Sequence, residues 1–428
     1  MTTDPQSLSG ADSVPILQPD LLRQWADATA DAWVTPAYLY DATVLKGRVD
    51  WLANRLAGLL DISFAIKSNP NPGLLHRLAG WVPWLDASAW AEVQRALDTG
   101  KPAQAITYSG PGKRPLELAA AVNADVSVVV ESPDEIAEIA QLAADRSKVH
   151  PVILRVNPDF VPRGFGASMS GKPSQFGIDE AEAEAAVAQI DAAPSLRLAG
   201  LHIYTGSNAL SAAPIIENFA NMARIFRSLT QDGQRPLDKL IFGSGFGIPY
   251  HAGQTELDVD AVIAGIRPHL VPLRICPGFS QTRFLLEMGR WIVGPTGALV
   301  TRVLTAKTSR GQRIAVCDAG FNNHLAACGM MGATFRKDYP VRVLSYGAET
   351  GDVKLTGPLC TTIDALAGPM PLPDLRRGDA VAIMQSGAYG LTASPTRFIS
   401  HPDPIELVWD GQAWLDVTEV RLNHVLDH

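Results

Sequence analysis

Cysteine is scarce. Cys276, Cys317, Cys328 and Cys360 are the four in 428 residues, and none stand at the short spacing of a metal-ligand pair. A disulfide-stapled scaffold and a zinc site are therefore not expected, while one of these thiols is left as a candidate reactive group. Charge is also sparse, at 19% of residues, with a net value of −8 and no basic run. Nucleic acid and anionic membrane surfaces are thus not expected as general partners, although an acidic carrier could dock on a local basic patch. No uninterrupted apolar stretch reaches the length of a membrane span, and Met1 to Gln18 lacks the basic-then-apolar pattern of a signal segment, so a cytoplasmic protein is expected. What the chain has instead is 46% hydrophobic residues over a length too great for one small core. That is the balance of a globular enzyme of two domains.

The stretch around which the rest is organised is Phe64-Ala65-Ile66-Lys67-Ser68-Asn69-Pro70. Three apolar residues give a short buried strand, and the polar residues and proline stop it directly after a lysine. An amine held at a strand mouth beside apolar walls is expected to lose hydration of its charged form. Its pKa should fall, making it a nucleophile or an imine-forming group. A solvated lysine after a strand is the plain alternative.

From residue 64 to about 290, strand-like runs alternate with helical periodicity. The runs are Phe64-Lys67, Trp84-Ser88, Ile106-Ser109, Val126-Glu131, Val152-Asn157, Leu198-Gly206, Leu240-Gly243 and Phe284-Glu287. Between them lie amphipathic segments such as Ala89-Leu97 after the cap candidate Ser88, Leu116-Val122, Pro133-Ala144 after Ser132, and Ala181-Ile190. Eight strands with intervening helices predict a parallel (β/α)8 TIM-like barrel with its chemistry at the carboxyl ends of the strands, an open doubly wound sheet being the alternative.

After Arg290 the pattern turns to β-runs at Ala298-Thr305, Arg313-Asp318, Val341-Leu344, Val353-Leu355, Ala380-Met384 and Ile405-Trp409, with Asp410-Gly411 as a hairpin signal. This predicts a second, mostly antiparallel β domain, which Pro36 to Tyr40 could join as a strand. The expected organisation is a segment over 1–44 contributing to the β domain, a cofactor-binding barrel over 45–290 and a β domain over 291–428.

Several strand ends carry chemistry. Gly243-Ser244-Gly245-Phe246-Gly247 allows backbone N–H groups to converge on an anion, and His202-Ile203-Tyr204-Thr205-Gly206-Ser207 adds a ring and hydroxyls at the same rim. A lysine, a phosphate cradle and a flat side chain are the needs of pyridoxal phosphate. Glu287 could hold a protonated pyridine nitrogen, or form a salt bridge with Arg290. Gly357-Pro358-Leu359-Cys360 and Ser386-Gly387-Ala388-Tyr389-Gly390 offer a proton donor and a phosphate or ring contact.

These motifs also carry a family resemblance. Together with Ser109-Gly110-Pro111-Gly112-Lys113, Leu154-Arg155-Val156-Asn157-Pro158, Gln175-Phe176-Gly177, Gly200-Leu201-His202 and Asp318-Ala319-Gly320, they run in the order found in the fold-type III pyridoxal phosphate decarboxylases, which include diaminopimelate and ornithine decarboxylases. The resemblance spans nearly the whole chain. It implies an alanine-racemase-like barrel plus a β domain, pyridoxal 5'-phosphate as cofactor, no metal, and a head-to-tail homodimer whose sites take the Cys and its neighbours from the opposite subunit. Residue by residue, it implies Lys67 as the Schiff-base lysine, Glu287 as partner of the pyridine nitrogen, and Ser207, Gly245 and Tyr389 on the phosphate, with Phe246 and Gly247 in the same loop. Asp86 and Arg155 would support the ring, Cys360 would reprotonate the product, and Arg290, Asp318 and Thr361 would face the substrate.

Three positions depart from the family. Tyr204 stands where a cofactor-stacking histidine is usual, and Thr361 where an acid grips a distal amine. Phe321-Asn322-Asn323-His324-Leu325 lacks the Arg and Tyr that grip a distal carboxylate. An unpaired distal charge in a desolvated pocket would cost several kcal/mol. Tyr108-Ser109-Gly110-Pro111-Gly112-Lys113, Tyr204-Thr205-Gly206-Ser207 and His401-Pro402-Asp403-Pro404-Ile405-Glu406 instead resemble the subgroup with the glutamyl-carrier-protein decarboxylase of butirosin biosynthesis, where the amino acid is tethered through its side chain. The expected activity is α-decarboxylation of a tethered or conjugated amino acid in secondary metabolism. The alternatives are a decarboxylase of free diaminopimelate or another free amino acid, a racemase, or a non-catalytic pyridoxal-binding regulator.

Overall fold

A computed structural model of the chain describes residues 13–165, 167–330, 338–345, 347 and 349–419. The ends of the expected N-terminal segment and β domain, residues 1–12 and 420–428, lie outside that description. Eight parallel strands, Asp61–Ala65, Trp84–Ala87, Ile106–Tyr108, Ser127–Val130, His150–Asn157, Leu196–Ile203, Lys239–Gly243 and Arg283–Met288, pair in chain order. The last returns to the first, with Met288 opposite Phe64, which closes the barrel. All eight expected strands are present, and the open-sheet alternative falls with that closing pair.

The period of two along each strand decides what faces where. Val128 and Val130 join the large core between strands and helices, whereas Val129 joins a small inner cluster with Ile153, Ile241, Leu285 and Trp84. Stepping by two from those inward residues leads to Glu131, Arg155, Gly243, Glu287 and Asp86. One periodicity thus fills the barrel with apolar groups below and polar groups at the carboxyl rim.

The surrounding helices follow from local signals. Pro133–Ala144 starts with proline in its first turn, and Ser132 accepts the Glu135 N–H at 3.2 Å, as expected for a cap. Ser88 does not cap Trp90–Asp98. Ala89 holds that place, and the Ser88 N–H donates to Glu92 Oε2 at 2.7 Å. Among the described residues no helix is long and apolar enough to cross a membrane.

The second sheet runs Ala365–Pro373, Glu349–Thr356, Gln312–Cys317, Gly297–Ser309, Ala37–Asp41, Ile405–Trp409 and Trp414–Asp416, with Ala380–Ile383 also on Gly297–Ser309. It is mostly antiparallel. Ala37–Asp41 lies between Gly297–Ser309 and Ile405–Trp409, so a strand that precedes the barrel is built into the sheet that follows it. The strand not foreseen is Ala365–Pro373. Its prolines at 369, 371 and 373 share one side of the backbone, and the strand sits at the sheet edge, where a missing N–H breaks no ladder.

Candidate active site

Lys67 stands not at the end of the strand but in a 3-10 turn, Ile66–Ser68, just beyond Ala65. Its Nζ donates to Glu287 Oε1 at 3.2 Å, lies 4.0 Å from Asp86 Oδ2, and sits 5.3 Å from the centre of the Tyr204 ring. Sequence alone argued for a depressed amine. Burial does push that way, but Glu287 and Asp86 outweigh it and raise the Lys67 pKa. The ammonium is therefore the stable form beside these two acids.

Glu287 also accepts from His202 Nε2 at 2.9 Å. Burial would push the carboxyl up, but Lys67 and the His202 hydrogen bond hold it well below the usual range, so it is ionised. His202 is itself pushed down by burial, which fits a neutral imidazole donating through Nε2. Asp86 accepts from Thr107 Oγ1 at 2.9 Å and Ser109 Oγ at 3.2 Å, and is pushed up to about 8 by burial and by Glu287. Sequence reasoning assigned no role to His202, although it shares the inward phase of its strand: its neighbours Leu201 and Ile203 both join the outer core.

One pocket is lined by Ala65, Lys67, Tyr204, Ser207, Ser244, Gly245, Phe246, Glu287, Met288, Gly289, Arg290 and Tyr389. The salt bridge between Glu287 and Arg290, the plain alternative for that acid, does not form. Arg290 turns to the glycine-loop side instead, donating to Tyr250 Oη at 2.7 Å and Ser207 Oγ at 3.4 Å, with its guanidinium 4.7 Å from the Tyr389 ring. That places it on the glycine-loop side of the pocket, beside Ser207 and Tyr389. Tyr389 reaches the pocket from the β domain of the same chain, its N–H donating to Ser68 O at 2.9 Å, while Asn69 Nδ2 donates to Gly387 O at 2.9 Å.

The glycine loop is shaped for close approach. Gly245 has φ +66, a Cβ there would run into the Phe165 ring, and one on Gly247 would lie 2.7 Å from the Ala209 carbonyl. A lysine amine, an ionised acid opposite it, a flat ring, and a glycine turn with Ser207 and Arg290 fit pyridoxal phosphate, with its aldehyde, pyridine nitrogen, ring face and phosphate answered in turn.

Residues 45–294 match the family model of the pyridoxal-binding domain of the pyridoxal-dependent decarboxylases. The chain belongs to this family. Over 383 residues it is 31% identical to the L-glutamyl-[BtrI acyl-carrier protein] decarboxylase of Niallia circulans, covering 87% of this chain and 88% of that protein. It is 26% identical over 373 residues to the 2-[(L-alanin-3-ylcarbamoyl)methyl]-2-hydroxybutanedioate decarboxylase of Staphylococcus aureus, covering 86% of this chain and 92% of that one. The diaminopimelate decarboxylase of Helicobacter pylori, solved with L-lysine, superposes with a TM-score of 0.81 at 27% identity, over 90% of this chain and 94% of that one. The protein is thus a pyridoxal 5'-phosphate enzyme and an amino-acid carboxy-lyase.

The remaining expected residues stand apart from the pocket. Cys360 is exposed on a turn of the β domain, whereas Cys317 and Cys328 are buried. Thr361, next to it, donates its N–H to Leu359 O at 2.7 Å. Asp364 anchors this turn by accepting the Leu359 and Phe321 N–H groups at 2.8 and 2.9 Å. Asp318 accepts from Thr35 Oγ1, Thr301 Oγ1 and the Arg302 N–H at 2.5, 2.6 and 3.0 Å. Its carboxylate is engaged inside the β domain, where it also lines a hollow with Pro358 and His401.

Proposed function

We propose that this protein removes the α-carboxylate of an amino acid whose side-chain end is masked, either tethered to a carrier protein or joined to a small biosynthetic intermediate. The observation that carries the reading is the make-up of the turn around Cys360. Thr361 cannot pair with an ammonium, and Asp364, the acid of that turn, is committed to two backbone N–H groups. Phe321 to Leu325 supply no cation for a distal carboxylate. A masked side chain avoids the cost of burying an unanswered charge. The names of the Niallia circulans and Staphylococcus aureus relatives, one acting on a carrier-bound glutamyl group and the other on an amide conjugate, support it.

When bound, pyridoxal phosphate supplies an electron sink for the pair left on Cα as carbon dioxide departs. Lys67 is the amine that would hold the cofactor. Glu287, kept ionised by Lys67 and His202, would favour a proton on the pyridine nitrogen. Ser207, the Gly245–Gly247 backbone, Arg290 and Tyr389 hold the phosphate. Tyr204 would stand beside the ring, and Asp86 and Arg155 would support it. Cys360 from a second copy of the chain returns the proton to Cα, which makes the active form a homodimer with shared sites. A cytoplasmic location belongs to the same reading.

The test is steady-state kinetics on side-chain-conjugated and carrier-bound amino acids beside free diaminopimelate, lysine and ornithine. The conjugated substrates should be turned over at least about 100-fold more efficiently. A kcat/KM of about 10⁴ M⁻¹s⁻¹ or more on any free amino acid would overturn the reading.

A further inference from the structure

Two loops noted for their motifs, Ser109–Lys113 and Gln175–Gly177, have so far no task. They converge on one carboxylate. Glu131 follows the Ser127–Val130 strand in the inward phase and is only 8% exposed. Arg155 Nη1 donates to both its oxygens at 3.1 Å, the Gly110 N–H to Oε1 at 2.8 Å, and the Gly177 N–H to Oε2 at 3.0 Å. Both glycines have positive φ, +114 and +73. A Cβ on Gly110 would meet Ser88 O at 2.9 Å, and one on Gly177 would meet the Asn157 backbone nitrogen at 3.0 Å. Glycine is therefore what lets each loop present its N–H so closely.

The Arg155 guanidinium lies 4.7 Å from the Phe176 ring, inside the same barrel mouth as Glu287. A buried guanidinium without its carboxylate would act on the neighbouring acids and on any protonated nitrogen nearby.

We propose that Glu131 is a positioning residue with two linked tasks: it balances the charge of Arg155 beside the cofactor ring, and through the Gly177 N–H it latches the described residues between Pro158 and Gly177 to the barrel rim. The first task rests on the cofactor placement proposed above. The second does not depend on it.

Two readouts separate them. In cofactor-free protein, trypsin should cut Glu131→Gln after the exposed Arg163 about tenfold faster than wild type, since one latching bond to Gly177 is weakened. In protein loaded with pyridoxal phosphate, the pH midpoint of the cofactor absorbance should fall by about half a unit or more, because an unbalanced cation disfavours a protonated nitrogen. Glu131→Asp keeps the charge on a shorter arm, so it should restore the midpoint while cleavage stays fast.

Asn157→Ala serves as the comparison. It removes the bonds to the Gly171 N–H at 3.1 Å and to Asp179 at 2.7 Å and leaves the Glu131–Arg155 pair in place, so cleavage should accelerate with the midpoint unmoved. An unchanged midpoint in Glu131→Gln, or an equal shift in Asn157→Ala, would overturn the charge-balancing role and leave only a loop tie. Unchanged cleavage in Glu131→Gln would overturn the latch. If Glu131→Gln is not recovered folded, Glu131→Asp decides alone: fast cleavage with a wild-type midpoint supports the proposal, and slow cleavage with a shifted midpoint overturns it. Wild-type protein that takes up no pyridoxal phosphate would sink the cofactor reading and not the latch.

Discussion

The barrel mouth and the turn bearing Cys360 are both polar rims, yet they are built in opposite ways. In the mouth every acid is answered within the chain: Glu287 by Lys67 and His202, Asp86 by Thr107 and Ser109, Glu131 by Arg155 and two backbone N–H groups. Around Cys360, Ile363 is 56% exposed, and Phe398 and Ile399 are each 43% exposed. The Phe398 ring packs tilted against Phe321, whose N–H is held by Asp364, so these apolar groups and the cysteine turn form one region. Ile399 has φ +58, which is costly for a β-branched residue. The mouth is a finished electrostatic unit, whereas the turn presents a thiol and an apolar surface of the kind another protein surface covers. The difference assigns cofactor binding to one chain and, under the proposed dimer, proton return to the other.

The largest effect should come from breaking the finished unit. Lys67→Ala should abolish the yellow colour and turnover, and borohydride reduction of wild type should put a pyridoxyl mass on the peptide containing Lys67. The mass on another lysine would contradict the site. Glu287→Gln leaves the lysine but removes the ionised partner of the pyridine nitrogen, and kcat should fall by about 10²–10⁴-fold while the reduced peptide still maps to Lys67.

The contrast between the two rims sharpens in mixed subunits. Lys67→Ala and Cys360→Ala proteins are each expected to be inactive. After subunit exchange, half of the dimers would be mixed with one intact site of two, which gives about one quarter of wild-type activity. No recovery after demonstrated exchange would place Cys360 in its own subunit's chemistry or outside the chemistry altogether.

A smaller effect is expected from acid. Burial pushes His150, in the barrel, down to about 4, and His324, in the β domain, down to about 3. His324 accepts the Ala327 N–H on Nδ1 at 3.2 Å and so donates through Nε2 to Ser386 Oγ at 3.1 Å, a network that protonation would break. A histidine with a depressed folded pKa binds its proton more readily when unfolded. Its stabilising contribution is complete above about 6.5 and is lost as pH falls towards the folded value, so the Tm should drop between pH 6.5 and 4. His324→Gln should flatten that drop, and an unchanged slope would assign the acid sensitivity elsewhere.

Much of this was legible because the strands announce themselves. Short apolar runs ended by Gly, Pro or polar residues located all eight barrel strands, and the rim chemistry follows from their carboxyl ends. What stayed hidden needed three dimensions. Nothing local in Ala365–Pro373 reveals the edge position that lets a strand carry three prolines. The rise in the Lys67 pKa depends on Asp86 and Glu287, acids 19 and 220 residues away that only barrel closure brings near. Arg290 stands three residues from Glu287, yet the strand ends at Met288 and a short helix begins at Arg290, whose side chain reaches Tyr250. Glu131 and His202 were within reach, since stepping by two along their strands puts both inside, but a reading by motif does not count phase.

The most direct test of the account is turnover in deuterated water, with the products analysed by mass. A conjugated or carrier-bound amino acid should emerge without its α-carboxylate and with a single non-exchangeable deuterium on Cα, delivered by whichever acid replaces the lost carboxylate. An amino acid that keeps its carboxylate and gains deuterium on Cα would mean racemisation, and would contradict the decarboxylation to which Lys67 and Glu287 have been assigned.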